Sequence, residues 1–148
     1  MRNSIGKEIA IIGRQSKIYL ERVLKPYNIK VGEHMFILNV ENDKHMNQQQ
    51  LCDQFAVDKA QATRAIASLV EKGLLSREKN PEDKREYLIA LTEEGKIIKE
   101  KLFLEMKHWG DTLKGDMSQE ELDKVTEILT KFRINAMVEN DRYKKHSK

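Results

Sequence analysis

Apolar residues recur at helical spacing through both ends of the chain and alternate with polar ones only once, near its middle. Ile5, Ile9, Ile12, Tyr19 and Val23 share one helical face, with Ile11 and Ile18 on a neighbouring side, until Pro26 ends the run. Ile29 to Val40 predicts a second helix that offers Val31, Phe36, Ile37 and Val40 for packing. Asn47 then caps a short helix from Gln48 to Phe55, with Leu51 and Phe55 four apart on one side. A break follows at Ala56 and Val57, and Asp58 caps the next helix. Gln61, three residues on, completes a capping-box pattern, and Val57 can staple onto Ala62. Gly73 is placed as the residue just past a helix C-terminus.

The one alternating stretch comes next. Leu74 to Lys79 predicts a strand, Asn80, Pro81, Glu82 and Asp83 a turn, and Glu86 to Leu91 a second strand in which Tyr87, Ile89 and Leu91 alternate with Glu86, Leu88 and Ala90. Thr92, followed by Glu93 and Glu94, starts a long helix carrying Ile98, Leu102, Met106, Trp109 and Leu113. Ser118 and Glu121 form another capping box, opening a last helix whose Leu122, Val125, Leu129, Phe132 and Ala136 keep a heptad-like seam.

Two short capped helices followed by a charged hairpin are the parts of a winged helix-turn-helix. The predicted fold is mainly α (α+β), with a two-stranded β wing flanked by N- and C-terminal dimerisation helices. In the second short helix Ala62, Ile66, Leu69 and Val70 fall on the core side. The opposite side carries Ala60, Gln61, Arg64, Ala67 and Ser68, with Lys59 at its start. Small residues there let a helix approach base edges, and an arginine can pair with guanine O6 and N7. Lys84 and Arg85 project from the hairpin, where a wing reaches phosphates or a minor groove, and Asp83 is placed to hold the Arg85 guanidinium in a fixed fork.

These residues resemble the MarR family of bacterial transcriptional regulators. The likeness is carried by Val57 to Ile66, Leu69 to Arg77, Pro81 to Arg85 and Leu91 to Gly95, with Asp83-Lys84-Arg85 standing where the family has its Asp-x-Arg wing signature. The resemblance implies an obligate homodimer on a pseudo-palindromic operator of double-stranded DNA, usually a repressor and often released when a small-molecule effector or an oxidant engages it. The candidate contacts are Lys59, Ala60, Gln61, Thr63, Arg64 and Ser68 on the recognition helix, and Arg77, Lys79, Asp83, Lys84 and Arg85 in the wing. Residues 31–97 would form the DNA-binding domain, and 1–30 with 98–148 the helical dimerisation region.

Composition bounds this reading without carrying it. A chain of 148 residues suffices for one domain with extended helices. Mean hydropathy is -0.67 and no apolar run approaches the roughly 20 residues that span a bilayer, so no membrane partner is expected. With no signal-peptide pattern and a single Cys52, a cytoplasmic location is expected. Net charge is only +3, from 27 basic and 24 acidic residues, but its distribution is uneven. Residues 1–30 hold Arg2, Lys7, Arg14, Lys17, Arg22, Lys25 and Lys30 against Glu8 and Glu21, and the tail after Asp141 is basic. Cys52 reads as a structural thiol. His34, His45 and His108 lack metal-ligand spacing, and no phosphate loop, nucleophile elbow or dinucleotide motif is present, so neither cofactor, metal nor enzyme activity is expected. Tyr19, His34, Phe36 and Trp109 are read as packing residues before effector-pocket residues. The competing class is a protein-interaction module that retains the winged fold and turns its exposed helix to another protein.

Overall fold

The computed structural model describes residues 4–55 and 57–147. In chain order it contains α1 (Ile5–Leu24), α2 (Glu33–Asn39), β1 (Met46–Asn47), α3 (Gln48–Phe55), α4 (Lys59–Glu71), β2 (Leu75–Lys79), β3 (Tyr87–Leu91), α5 (Glu93–Lys114) and α6 (Gln119–His146). The chain divides after Trp109, inside α5, into two compact units. Among the described residues no helix is long and apolar enough to cross a membrane.

The expected helices and strands form where local chemistry favours them. The Asn47 side chain accepts from the Gln49 N–H at 2.7 Å while Gln50 Oε1 accepts from the Asn47 N–H at 3.2 Å, so α3 starts in a reciprocal cap. The break before α4 is seen at Val57, while Ala56 lies outside the described residues. Asp58 caps α4 by accepting from the Gln61 N–H at 2.7 Å, but only this half of the expected box forms. At the far end Gly73 has φ +72°, with Gly73 N–H bonded to Val70 O and Leu74 N–H to Leu69 O. That is a Schellman ending, which needs a left-handed residue. Thr92 and the Ser118 and Glu121 box cap α5 and α6 as the pattern requires.

Two elements differ from the sequence pattern. The second helix is α2 alone, not Ile29 to Val40, because Asn28 and Gly32 have φ +53° and +99° and turn the chain before Glu33. Val31 is consequently exposed, while Phe36, Ile37 and Val40 are buried as expected. The wing pair β2 and β3 is antiparallel, with Leu75 opposite Leu91 and Lys79 opposite Tyr87, and β1 adds a third strand in the order β1-β3-β2. Two residues are too short to show alternation, so β1 exists only through its pairing of Met46 with Ile89 and Asn47 with Leu88.

The core of the first unit gathers Leu24, Ile37, Leu51, Ile66, Leu69, Leu75, Ile89 and Leu102, from α1, α2, α3, α4, β2, β3 and α5. Burial of these side chains is the main stabilising contribution. Helix α5 approaches the hairpin so closely that a Cβ on Gly95 would lie 2.0 Å from the Leu74 carbonyl oxygen. In α6 no residue is buried.

Candidate nucleic-acid interface

Helix α4 has the two faces its sequence predicts. Ala62, Ile66 and Leu69 are fully buried and Val70 packs against the core, so the helix is held along one side. Lys59, Ala60, Gln61, Arg64 and Ala67 are exposed on the other. The Arg64 side chain has no ion-pair partner among the described residues, which leaves its guanidinium donors available to an acceptor outside the chain.

Thr63 and Ser68 are half-buried and already engaged. The Thr63 hydroxyl donates to Lys59 O at 2.7 Å and accepts from Gln48 Nε2 at 3.0 Å, tying α4 to the start of α3. Ser68 faces Glu33 of α2, whose carboxylate also accepts from the Lys30 N–H at 2.9 Å and from Lys72 Nζ at 2.8 Å. Burial pushes the Glu33 pKa up, but these hydrogen bonds and the Lys72 charge outweigh it and hold the carboxyl below its ordinary range. These two hydroxyls therefore position α4 within its own unit.

The wing is stiffened from within. Asn80 N–H donates to Glu86 O and Glu86 N–H to Asp83 O, both at 3.0 Å, and the Asn80 side chain accepts from the Glu82 N–H. At its tip Arg85 Nε and Nη2 each lie 3.0 Å from one Asp83 carboxylate oxygen, the expected fork. Hydrogen bonds from the Arg85 side chain, then its backbone, lower the Asp83 pKa, and the same pairing raises that of Arg85. Both groups are therefore charged at neutral pH, and the Arg85 side chain remains 90% exposed despite the pairing. Lys79 and Lys84 are exposed. Arg77 differs from them: its guanidinium carbon lies 3.6 Å from the Tyr87 ring centroid, and its Nε is buried without a partner. Stacked this way, Arg77 braces the hairpin with its stem and ring contact.

The fold brings helix and wing to one place. Lys59 and Arg85 share the lining of a cleft of about 220 Å³ with Asn47, Gln48, Gln49 and Tyr87. The part played by Gln48 was not legible in the sequence. It is buried, its amide orients Thr63, and its Oε1 has no partner. The only signal was a polar residue at the first turn of α3, which reads as ordinary solvent-facing sequence.

The residues weighed for other chemistry are accounted for by packing. Tyr19 and Trp109 stack at 4.6 Å, the Tyr19 hydroxyl donates to Glu105, and Trp109 Nε1 donates to Ser16 at 3.3 Å. His34 is buried, and its Nδ1 accepts from the Gly32 N–H at 3.1 Å. Phe36 meets Phe55 edge-on at 5.8 Å. Cys52 is buried, and that burial raises its thiol pKa, away from the thiolate that reacts. Among the described residues no three His, Cys, Asp or Glu side chains gather as a metal site.

Residues 31–87, from the turn before α2 to the first residue of β3, match the family model described as MarR family. An uncharacterized HTH-type transcriptional regulator of Bacillus subtilis (strain 168), YhbI, is 33% identical over 126 residues, which are 83% of this chain and 81% of that protein. The chain belongs to the MarR family. A MarR transcriptional regulator from Methanosarcina mazei Go1 superposes with a TM-score of 0.79 at 29% identity, covering 90% of this chain and 96% of that one. A mutant MarR from E. coli complexed with operator DNA shares the fold, with a TM-score of 0.76 at 24% identity over 86% of this chain and 92% of that one. This MarR-family chain is accordingly a transcription regulator with a helix-turn-helix DNA-binding unit, and every candidate contact from Lys59 to Arg85 lies inside the matched segment.

Proposed function

We propose that this MarR-family regulator is a non-enzymatic homodimer that represses transcription from a pseudo-palindromic operator and leaves it when a small molecule or stress signal engages the protein. Residues 31–97 carry the DNA contacts, and residues 1–30 and 98–148 hold the two copies together in the cytoplasm. The observation that carries the reading is the exposed outer face of α4, with Arg64 on it free of ion pairs among the described residues and Lys59 sharing a cleft with the fork-held Arg85 of the wing. Lys59, Ala60, Gln61 and Arg64 enter the major groove in this reading. Lys79, Lys84 and Arg85 reach the adjacent backbone or minor groove, with Asp83 aiming Arg85. Thr63, Ser68 and Arg77 act chiefly by holding helix and hairpin in place. The operator complex of the E. coli MarR, which shares this fold, supports the same use of it here. Exposed Ile5, Ile9 and Ile12 of α1 and Leu129 of α6 supply apolar surface for a second copy.

Selection of duplexes from a random DNA pool by the purified, refolded protein tests the reading. A palindrome with half-sites about 34 to 36 Å apart is expected to be enriched. Arg64→Ala should cost about 1–3 kcal/mol and relax preference at one base, while Arg85→Ala weakens both half-sites without changing the preferred bases. No enrichment at either low or moderate salt would overturn it, and loss of a protein contact with DNA binding unchanged would assign the helix to a protein partner.

A further inference from the structure

The basic residues near the N-terminus are not part of the interface described above. Lys17 and Glu21 of α1 and Lys25, the αR residue that follows its last turn, stand at four-residue spacing, so they share a face. With Asn28 and Lys30 they line a groove of about 450 Å³. Lys30 and Val31 also line a second cleft, about 390 Å³, whose other residues include Gln61, Arg64 and Ser68 of α4. The two depressions thus meet at Lys30, and cations follow one another from the recognition helix to α1. Little opposes them. Glu33 is already bound to Lys72, and Glu21 stands 3.8 Å from Lys17. Lys25 and Lys30 have no carboxylate within ion-pair distance among the described residues. The two linings together set Lys17, Lys25, Lys30 and Arg64 against Glu21 and Glu33, so positive charge is in excess along them.

We propose that Lys17, Lys25 and Lys30 form a second contact with the DNA backbone, gripping the phosphates of the strand that runs on from the groove read by α4. The inference rests on the DNA-binding function proposed above. Lysine ammonium groups are point charges without the planar fork that reads a base, so the contact is independent of sequence. Eight residues of helix set Lys17 and Lys25 about 12 Å apart along the axis, against one phosphate per 3.4 Å of each strand, so each lysine can serve a different phosphate. Continuity with Arg64 is what selects DNA as the occupant.

The test compares the unsubstituted full-length protein, the triple variant Lys17→Gln, Lys25→Gln, Lys30→Gln, and the matching triple Lys→Arg variant. Each binds the selected operator and a random duplex over a range of salt, after melting curves establish equal folding of these exposed-site variants. The magnitude of the slope of log K against log salt should fall in the Gln variant by roughly one for each lysine of each protomer. Affinity for both duplexes should drop by the same factor, with base preference unchanged and the slope retained by the Arg variant. An unchanged slope in the Gln variant, with Arg64→Ala still relaxing base preference, overturns the lysine contact alone. Equal slope losses in the Arg and Gln variants overturn it as well. Failure of the unsubstituted protein to bind either duplex overturns both the contact and the function on which it rests.

Discussion

The winged body and the last helix use apolar residues in opposite ways. In the body, α4 buries Ala62, Ile66 and Leu69 completely within its own chain, and β2 and β3 turn Leu75, Ile89 and Leu91 into the same core. Helix α6, more than twice as long as α4, buries nothing, and Ile128, Leu129, Ile134 and Val138 are each about half exposed. The N-terminal half of α1 resembles α6 in this respect, with Ile5, Ile9 and Ile12 exposed. An amphipathic helix gains most of its stability from burying its apolar face. The body therefore satisfies its hydrophobic pattern by intrachain packing, while α6 and the N-terminal half of α1 leave theirs exposed, which is the basis for proposing a second copy of the chain.

The contrast is sharpest at glycines. Gly95→Ala drives a Cβ against the Leu74 carbonyl, a backbone atom that cannot rotate away, so a loss of about 4 kcal/mol or more in denaturant unfolding is expected. Gly110→Ala, in the helical stretch beyond the division of the chain, meets nothing within 4 Å and should stabilise by up to about 1 kcal/mol. A destabilised Gly110→Ala would mean that this end of α5 is as tightly packed as its beginning.

Apolar truncation tests the same difference. Ile66→Ala should cost about 2–4 kcal/mol at any protein concentration, because it opens a cavity in the chain's own core. Leu129→Ala should change the stability of dilute protein little and instead weaken self-association, seen as a lower mass by light scattering at a given concentration. Equal losses from both substitutions in dilute protein would erase the distinction.

The smallest effect is expected from pH. His34 is buried in the body, and burial lowers its pKa, so the unfolded chain takes up this proton before the folded one does. Its contribution to stability is complete above the unfolded value near 6.5 and is lost as pH falls toward the lower folded value, with a slope of up to about 1.4 kcal/mol per pH unit. Glu33, whose folded pKa is also lowered, loses its contribution only in the more acid range below the ordinary carboxyl value. His34→Gln should flatten the melting temperature just below pH 6.5 and leave the acid limb in place. A pH dependence unchanged by the substitution would show that His34 is not the group responsible.

Much of the candidate site was legible because its signals are local. Asp58, the apolar stripe of α4, Gly73 and the alternation of β3 each act within a few residues, and the tertiary contacts agree with them. Asp83 and Arg85 are likewise two apart, and their fork forms as expected. The α2 boundary was misread because Asn28, just before the run, and Gly32, inside it, adopt positive φ where the side chains suit a helix. Strand β1 was invisible because its two residues acquire their conformation only by pairing with β3.

Sequence alone determined the order of the helices and of the two wing strands, most of their caps and the faces that had to be buried, since side-chain periodicity and backbone capping act over one or two turns. Only the tertiary structure decided which polar residues of the candidate interface are exposed and which are engaged within the chain. Arg77 lies on Tyr87, Ser68 faces Glu33, and Thr63 is held by Gln48, whereas Arg64 and Lys84 remain open. A charged or hydroxyl side chain carries no periodicity to reveal its direction. Its availability is set by groups that the fold brings within about 3 Å from 10 or more positions away, and those distances exist only once the chain has packed.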